Sequence, residues 1–318
     1  MQPTLQSLLS DGYFPKELPP IFTTAEFAAY VIANPPGKLP AAPNRLAHQT
    51  RAATHYLARP NGERRRLQVP TPFAHYRLCD LLAKNWSTVD QHCSASPYTL
   101  TRPIVDPSGE RALRTEAIGS HLAKHRARIR ATSRYILRTD ISRFYHSVYT
   151  HAIPWAMSGK SGSKLVRKGG FANDLDKLVR DSQDGQTLGI PIGPDSSLAV
   201  AEILGCAVDR EIHRRAKLVG FRFIDDYEFG FTTRSAAEAA LAAIEIALAE
   251  FELALNPRKT SIEELPVALD RGWVSSLSGF RFAKLTHATR AELVRYFDLA
   301  FELKARFPNE TVLSYAIA

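Results

Sequence analysis

The run Phe221-Arg222-Phe223-Ile224-Asp225-Asp226-Tyr227-Glu228-Phe229 sets two adjacent acids between two apolar, aromatic-rich flanks. Short apolar runs of this kind, bounded by turn residues, predict buried strands. The Asp-Asp pair then sits at the tip of a tight hairpin. Carboxylates held that close repel each other and cost desolvation unless a cation neutralises them. A solvated acidic turn would show the same pattern if the pair stood alone, so its neighbours in the fold decide the matter.

A third acid supplies such a neighbour. Residues 134–139, Arg-Tyr-Ile-Leu-Arg-Thr, predict a strand that ends at Asp140, with a helix over 142–157 broken near Pro154. An acid at a strand end beside an Asp-Asp hairpin can share the same metal ions. Two divalent cations about 3.5–4 Å apart can activate one oxygen and stabilise another in phosphoryl transfer. Magnesium takes hard oxygen ligands from one or two carboxylates and from substrate phosphates. Asp140, Asp225 and Asp226 on adjacent strands would provide them.

The overall charge agrees with a phosphate-bearing partner. Lys and Arg number 41 against 32 acids, a formal net charge of +9. Arginine forks match phosphate geometry, so the bias suits nucleic acid. The three cysteines, Cys79, Cys93 and Cys206, are far apart and form no CxxC, which argues against a disulfide framework or a structural zinc site. The first residues, Met1-Gln2-Pro3-Thr4-Leu5, have no basic or apolar signal character. No apolar run approaches the ~18 residues of a membrane span. A cytoplasmic protein with no membrane partner is expected.

Several segments predict local structure. A helix is expected over 73–86, another over 174–181 and a long one over Ser196–Ala216, capped by Asp195 or Ser196. Ser235-Ala236-Ala237-Glu238 predicts a capping box opening an alanine-rich helix that runs to about Leu253. Residues 158–170, rich in Gly, Ser and Lys, predict a mobile basic loop, and 273–285 a second hairpin. The basic stretch His121–Arg130 fits either a solvated helix face or a nucleic-acid contact.

Five segments together resemble one family. Asp140-Ile-Ser-Arg-Phe-Tyr145 resembles motif A of reverse transcriptases, and Gly189-Ile-Pro-Ile-Gly-Pro-Asp-Ser-Ser197 resembles motif B. Phe223-Ile-Asp-Asp226 is similar to motif C, Leu255-Asn-Pro-Arg-Lys259-Thr260 to motif D, and Leu277-Ser-Gly-Phe280 to motif E. They occur in the family's order, over roughly residues 60–285. The compact length and the stretch from Tyr145 to Trp155 are most similar to bacterial retron, abortive-infection and defence-associated, unknown-group enzymes.

The resemblance implies an α+β, right-hand polymerase fold with fingers and a palm built on an antiparallel sheet, the thumb short or truncated. Residues 1–133 would be an N-terminal region and fingers. Residues 134–285 would be the palm, with a fingers insertion about 156–188, and 286–318 the start of a thumb or a C-terminal helix. The implied activity is RNA-directed DNA polymerase in phage defence, non-templated or protein-primed synthesis included. Its partners would be a nucleic-acid template and primer, dNTPs, and a non-coding RNA or accessory protein. Its cofactor would be two Mg2+ ions, with Mn2+ the alternative.

By the same resemblance, Asp140 and Asp225 bind both ions and Asp226 supports them. Tyr145 is the gate that excludes a ribose 2′-hydroxyl. Pro191 and Gly193 shape the turn of the template-base pocket. Lys259 is the general acid for the leaving pyrophosphate. One of Arg64, Arg65 and Arg66 grips the triphosphate. The chain departs from the family at Ile192, where well-known members carry a glutamine able to hydrogen-bond a nucleotide. A group II intron-type enzyme, an RNA-dependent RNA polymerase, and a catalytically silent nucleic-acid-binding palm are the rival readings.

Overall fold

A computed structural model describes residues 1–19, 21–36, 49–58, 64–117, 121–166, 168–269, 272–283, 289–308 and 310–317. The chain divides into two compact units. One comprises Met1–His55 and Leu67–Leu265, and the other Tyr56–Arg66 and Pro266–Ala318.

At the centre of the first unit lies a four-stranded antiparallel sheet. Its spatial order is Val219–Phe223, Asp226–Phe231, Tyr135–Asp140, Ser261–Glu264. The expected hairpin is present, with Phe223 opposite Asp226 and Arg222 opposite Tyr227. The Tyr135–Asp140 strand pairs with both its neighbours, Asp140 facing Asp226 on one side and Leu137 facing Ile262 on the other.

Alternating side chains send Leu137, Tyr227 and Phe229 to one face of this sheet, where they join the main core. That face is covered by the helices Asp195–Arg215 and Arg234–Ala249, which contribute Ile203, Leu204, Val208, Ile244 and Leu248. The opposite face buries Ile136 and Phe221 against Ile129 of the helix Leu122–Arg130. The basic stretch therefore has an inward side. Arg126 and Arg130 reach buried Glu228 at 2.9 and 3.2 Å, while Lys124 and Arg128 stay exposed.

The structure corrects several local expectations. Residues 158–165 are helical, as the last part of Ala152–Leu165, and Gly159 at φ +71° absorbs a kink. Residues 272–278 form the helix Gly272–Ser278, so no hairpin starts at Trp273; residues 284 and 285 lie outside the described residues. The alanine-rich helix is capped by Thr233, whose side chain accepts from the Ala236 amide, and it ends at Ala249. The long helix begins after Pro194 without a side-chain cap, because the Asp195 carboxylate is engaged elsewhere. Cys79, Cys93 and Cys206 are free thiols, all buried.

The second unit has its own small core of Trp273, Leu277, Ala300, Leu303 and Val312. Its helices are Gly272–Ser278, Arg290–Arg306 and Val312–Ile317, the middle one opened by a Thr289–Glu292 capping box. Arg64, Arg65 and Arg66 belong to this unit; they open the strand Arg64–Val69, which pairs with Ala53–Ala58. Among the described residues, no helix is long and apolar enough to cross a membrane.

Candidate active site

Strand pairing carries the three acids to one place. Asp140 ends its strand directly opposite Asp226, and the Ile141 amide donates to the Asp225 carbonyl at 3.0 Å. The carboxylates of Asp140, Asp225 and Asp226 each offer an oxygen, and these atoms lie within 4.8 Å of one another. Asp140 is buried, Asp225 half-buried and Asp226 exposed.

Two further side chains complete the cluster. Lys259 Nζ donates to Asp140 Oδ2 at 2.6 Å, and Asn256 Nδ2 donates to Asp140 Oδ1 at 3.1 Å. Asn256 also donates its amide to the Asp140 carbonyl at 2.8 Å, and its side-chain oxygen caps the short turn Pro257–Lys259 by accepting from the Arg258 amide. One asparagine thus fixes both the backbone and a carboxylate oxygen of Asp140, and shapes the turn that presents Lys259. In the sequence, Asn256 stands out only as part of the segment similar to motif D. Its place before a proline, where asparagine commonly caps, was the available signal.

Negative charge gathers in the cluster and shifts the groups within it. Asp226 keeps contact with solvent, yet loss of hydration, then the charge of Asp225 and with less weight Asp140, pushes its carboxyl up to about 6 against the pull of Lys259. For Lys259, burial works against the charge. The hydrogen bond and charge of Asp140, with Asp226 and Asp225, outweigh it and raise the ammonium above its ordinary range. Three carboxylates converging on one point fit a hard divalent cation.

The other expected residues surround the same sheet end or stand apart. Tyr145 lies on the short helix Phe144–Ser147, half-buried, and its carbonyl accepts from the Ile190 amide at 2.7 Å. The Gly189 amide reaches the Val148 carbonyl at 2.7 Å, so the glycine-proline turn runs along the segment after Asp140. Pro191 is buried. Gly193, at φ +144°, has no room for a side chain, since a Cβ would lie 2.4 Å from Pro15 Cγ. The turn is also clamped by Arg111, which donates to Asp195, to the Phe14 carbonyl at 2.7 Å and to the Gly193 carbonyl at 3.4 Å. Sequence reasoning missed Arg111 because its partners are far away in the chain. Arg64, Arg65 and Arg66 belong to the second unit, outside the one that carries the aspartates.

Residues 101–282 match the family model described as reverse transcriptase (RNA-dependent DNA polymerase). No curated protein sequence matches the chain. Among solved structures it is similar to apo telomerase from Candida tropicalis, at 12% identity and a TM-score of 0.49, over 86% of this chain and 55% of that one. It is also similar to the same telomerase truncated from its C-terminal domain, at 10% identity and a TM-score of 0.47, over 80% of this chain and 59% of that one. The chain thus spans less than two thirds of the telomerase chains it resembles.

Proposed function

Because the chain belongs to the reverse transcriptase family, we propose that it is an RNA-directed DNA polymerase that adds dNTPs to a primer 3′-hydroxyl and releases pyrophosphate. The observation that carries this reading is the convergence of Asp140, Asp225 and Asp226 within 4.8 Å, inside the matched segment.

Asp140 and Asp225 would hold two divalent cations, Mg2+ with Mn2+ as the alternative, and Asp226 would support them. Such ions, when bound, lower the pKa of the attacking hydroxyl and neutralise charge on the transferred phosphate. Asn256 orients the Asp140 carboxylate for this task. Lys259 is held protonated beside Asp140 and is the group that would deliver a proton to the leaving pyrophosphate. Tyr145 would exclude the ribose 2′-hydroxyl by plain volume. The turn with Pro191 and Gly193 would floor the template-base pocket, and one of Arg64, Arg65 and Arg66 would bind the triphosphate. The domain division proposed is that of an N-terminal region and fingers over 1–133, a palm over 134–285 with a fingers insertion about 156–188, and the start of a thumb or a C-terminal helix over 286–318.

A role in phage defence, with a non-coding RNA or accessory protein as partner, is supported by the likeness of the Tyr145–Trp155 stretch to the defence-associated enzymes. The chemistry is tested by incubating purified protein with Mg2+ or Mn2+ and labelled dNTPs, with and without co-purified RNA. Incorporation that disappears in Asp225→Asn is expected. Absence of incorporation on RNA-templated, DNA-templated and template-free substrates alike would favour the silent palm instead.

A further inference from the structure

Directly beneath the Asp225–Asp226 turn lies a second set of charges, closed off from water. Arg222, one residue pair before the aspartates, is 0% exposed, as are Glu202 and Asp209 of the long helix. Arg222 Nη1 and Nη2 donate to the two oxygens of Glu202 at 2.8 and 3.0 Å, and its Nε donates to Asp209 at 2.9 Å. Asp209 also accepts from the Tyr227 hydroxyl at 2.9 Å and from Ser96 Oγ at 2.6 Å, and Glu202 accepts from Thr99 Oγ1 at 3.0 Å.

This network reaches the turn through its backbone. Ile224 holds φ at +58°, a left-handed conformation that a β-branched L-residue disfavours. Both of its peptide groups are gripped. Its amide donates to Thr101 Oγ1 at 3.1 Å, and its carbonyl accepts from Arg222 Nη1 at 2.8 Å. Thr101 Oγ1 in turn donates to Glu202 Oε1 at 2.7 Å, the same oxygen that Arg222 Nη1 engages. The bonds close a ring: Ile224 amide, Thr101, Glu202, Arg222, Ile224 carbonyl.

The long helix makes space for it. At Gly205 a Cβ would lie 2.7 Å from Arg222 Cζ, so the guanidinium rests against bare helix backbone. A glycine in a helix interior is entropically costly, and here it vacates the place the guanidinium fills.

We propose that Arg222, with Glu202 and Thr101, is the positioning device of the active-site turn: the ring holds Ile224 left-handed and so fixes where the Asp225 carboxylate stands against Asp140. The proposal rests on reading Asp225 as a metal ligand. Arg222 is a positioning residue, since its hydrogen bond to the turn goes to the Ile224 carbonyl. A merely structural ion cluster would stabilise the fold without setting cation affinity.

The experiment is Mn2+ titration of the full chain, followed by electron paramagnetic resonance, with dNTP incorporation kinetics measured in parallel. Gly205→Ala displaces the guanidinium while keeping every charge, and Thr101→Val removes the acceptor for the Ile224 amide at nearly constant volume. Each variant that remains folded by circular dichroism is expected to bind Mn2+ about tenfold more weakly, the effect of losing a supporting group behind a metal ligand. Its kcat should fall while KM for dNTP stays near the wild-type value. Ile224→Gly, which accepts positive φ without a side-chain penalty, should restore part of the Mn2+ affinity when combined with either change. A folded Gly205→Ala or Thr101→Val protein with wild-type Mn2+ affinity overturns the proposal, and so does failure of Ile224→Gly to restore any. Asp225→Asn separates the two readings. If it binds Mn2+ as the wild type does, the metal assignment fails and the positioning role with it. If it loses Mn2+ while the ring variants keep it, only the positioning role fails.

Discussion

Two acidic clusters sit on opposite sides of one turn, and each gathers carboxylates around a basic side chain. Above the turn, Asp140, Asp225 and Asp226 converge, and the Lys259 ammonium donates to Asp140. Below it, Glu202 and Asp209 meet the single guanidinium of Arg222. The difference is in the neutral donors. The lower pair also accepts from Thr99, Thr101, Ser96 and Tyr227, and is sealed. The upper group has Asn256 on Asp140, while Asp226 faces solvent with its carboxyl pushed up to about 6. Excess negative charge is therefore a poor mark of function by itself. Carboxylates that converge while open to solvent, one of them with its proton affinity raised, form a place that suits a cation.

The largest expected effect breaks the lower cluster. Arg222→Met leaves Glu202 and Asp209 buried without their cation, and should destabilise the fold by about 3–5 kcal/mol, measured by denaturant unfolding. The triple change Arg222→Met, Glu202→Leu, Asp209→Leu removes all the charges and should recover much of that loss. If Arg222→Met alone costs less than ~1 kcal/mol, the cluster is not the sealed structural unit described.

Breaking the upper cluster should have the opposite profile. Asp225→Asn removes a carboxylate whose repulsion raises Asp226. Incorporation should fall by at least ~10²–10³-fold, the scale of losing one preorganised electrostatic group. The melting temperature of the metal-free protein should hold or rise. A clear drop in melting temperature would mean the aspartates are saturated like the pair below.

These two clusters were not equally legible in the sequence. The upper one announced itself because strand ends and a hairpin tip are set by local pattern, and the acids lie at those points. The register that puts Asp140 opposite Asp226 then follows from pairing the two strands. The lower one was invisible. Arg222 falls between two phenylalanines, where strand alternation reads it as a solvent-facing residue. The long helix covers that face and brings Glu202 and Asp209, and no local rule says which helix will do so. Arg111 was hidden for the same reason. The error at residues 272–278 was different: glycine, serine and aromatic residues fit a hairpin locally, and burial of Trp273 and Leu277 against Ala300 and Leu303 selects a helix. At 158–165 a helix with a glycine kink overrode the loop-forming composition.

Acid titration should sharpen the comparison. The Asp226 carboxyl is raised from 3.8 to about 6, so between those values the folded protein binds more protons than the unfolded chain. Its contribution to the stability of the metal-free fold is therefore lost as pH rises from about 4 to about 6. Buried His75 and half-buried His92 act in the reverse sense. Burial, reinforced at His92 by Arg210, lowers each from 6.5 to about 4, so they add stability as pH rises over that range. Asp226→Asn isolates the first effect. Measured in chelator, its gain in melting temperature over wild type should be near zero at pH 4 and reach a plateau above about pH 6. A gain that does not change with pH would show that Asp226 is already compensated.

The smallest expected effect concerns Ile192, which the proposed function sets against the nucleotide rather than the metal. The Ile192 carbonyl accepts from the Gln68 amide at 2.9 Å, and its neighbours Pro191 and Pro194 are buried. Ile192→Gln therefore changes a half-buried side chain on a pinned backbone, with little reason for the turn to move. Family members with glutamine here, by the resemblance, gain a polar contact with the incoming nucleotide. One such hydrogen bond contributes about 0.5–1.5 kcal/mol, roughly a factor of two to ten in affinity or discrimination. Wild-type enzyme should accordingly be tolerant of mismatched dNTPs on a defined template, and Ile192→Gln should tighten KM for the matched dNTP with kcat nearly unchanged. An isoleucine packed beneath the nascent base pair predicts the reverse: accurate copying by the wild type and a loss on placing an amide there. Single-nucleotide incorporation with each of the four dNTPs, for both proteins, distinguishes the two. Accurate copying by the wild type with no gain from Ile192→Gln would show that this departure leaves the site as selective as its relatives.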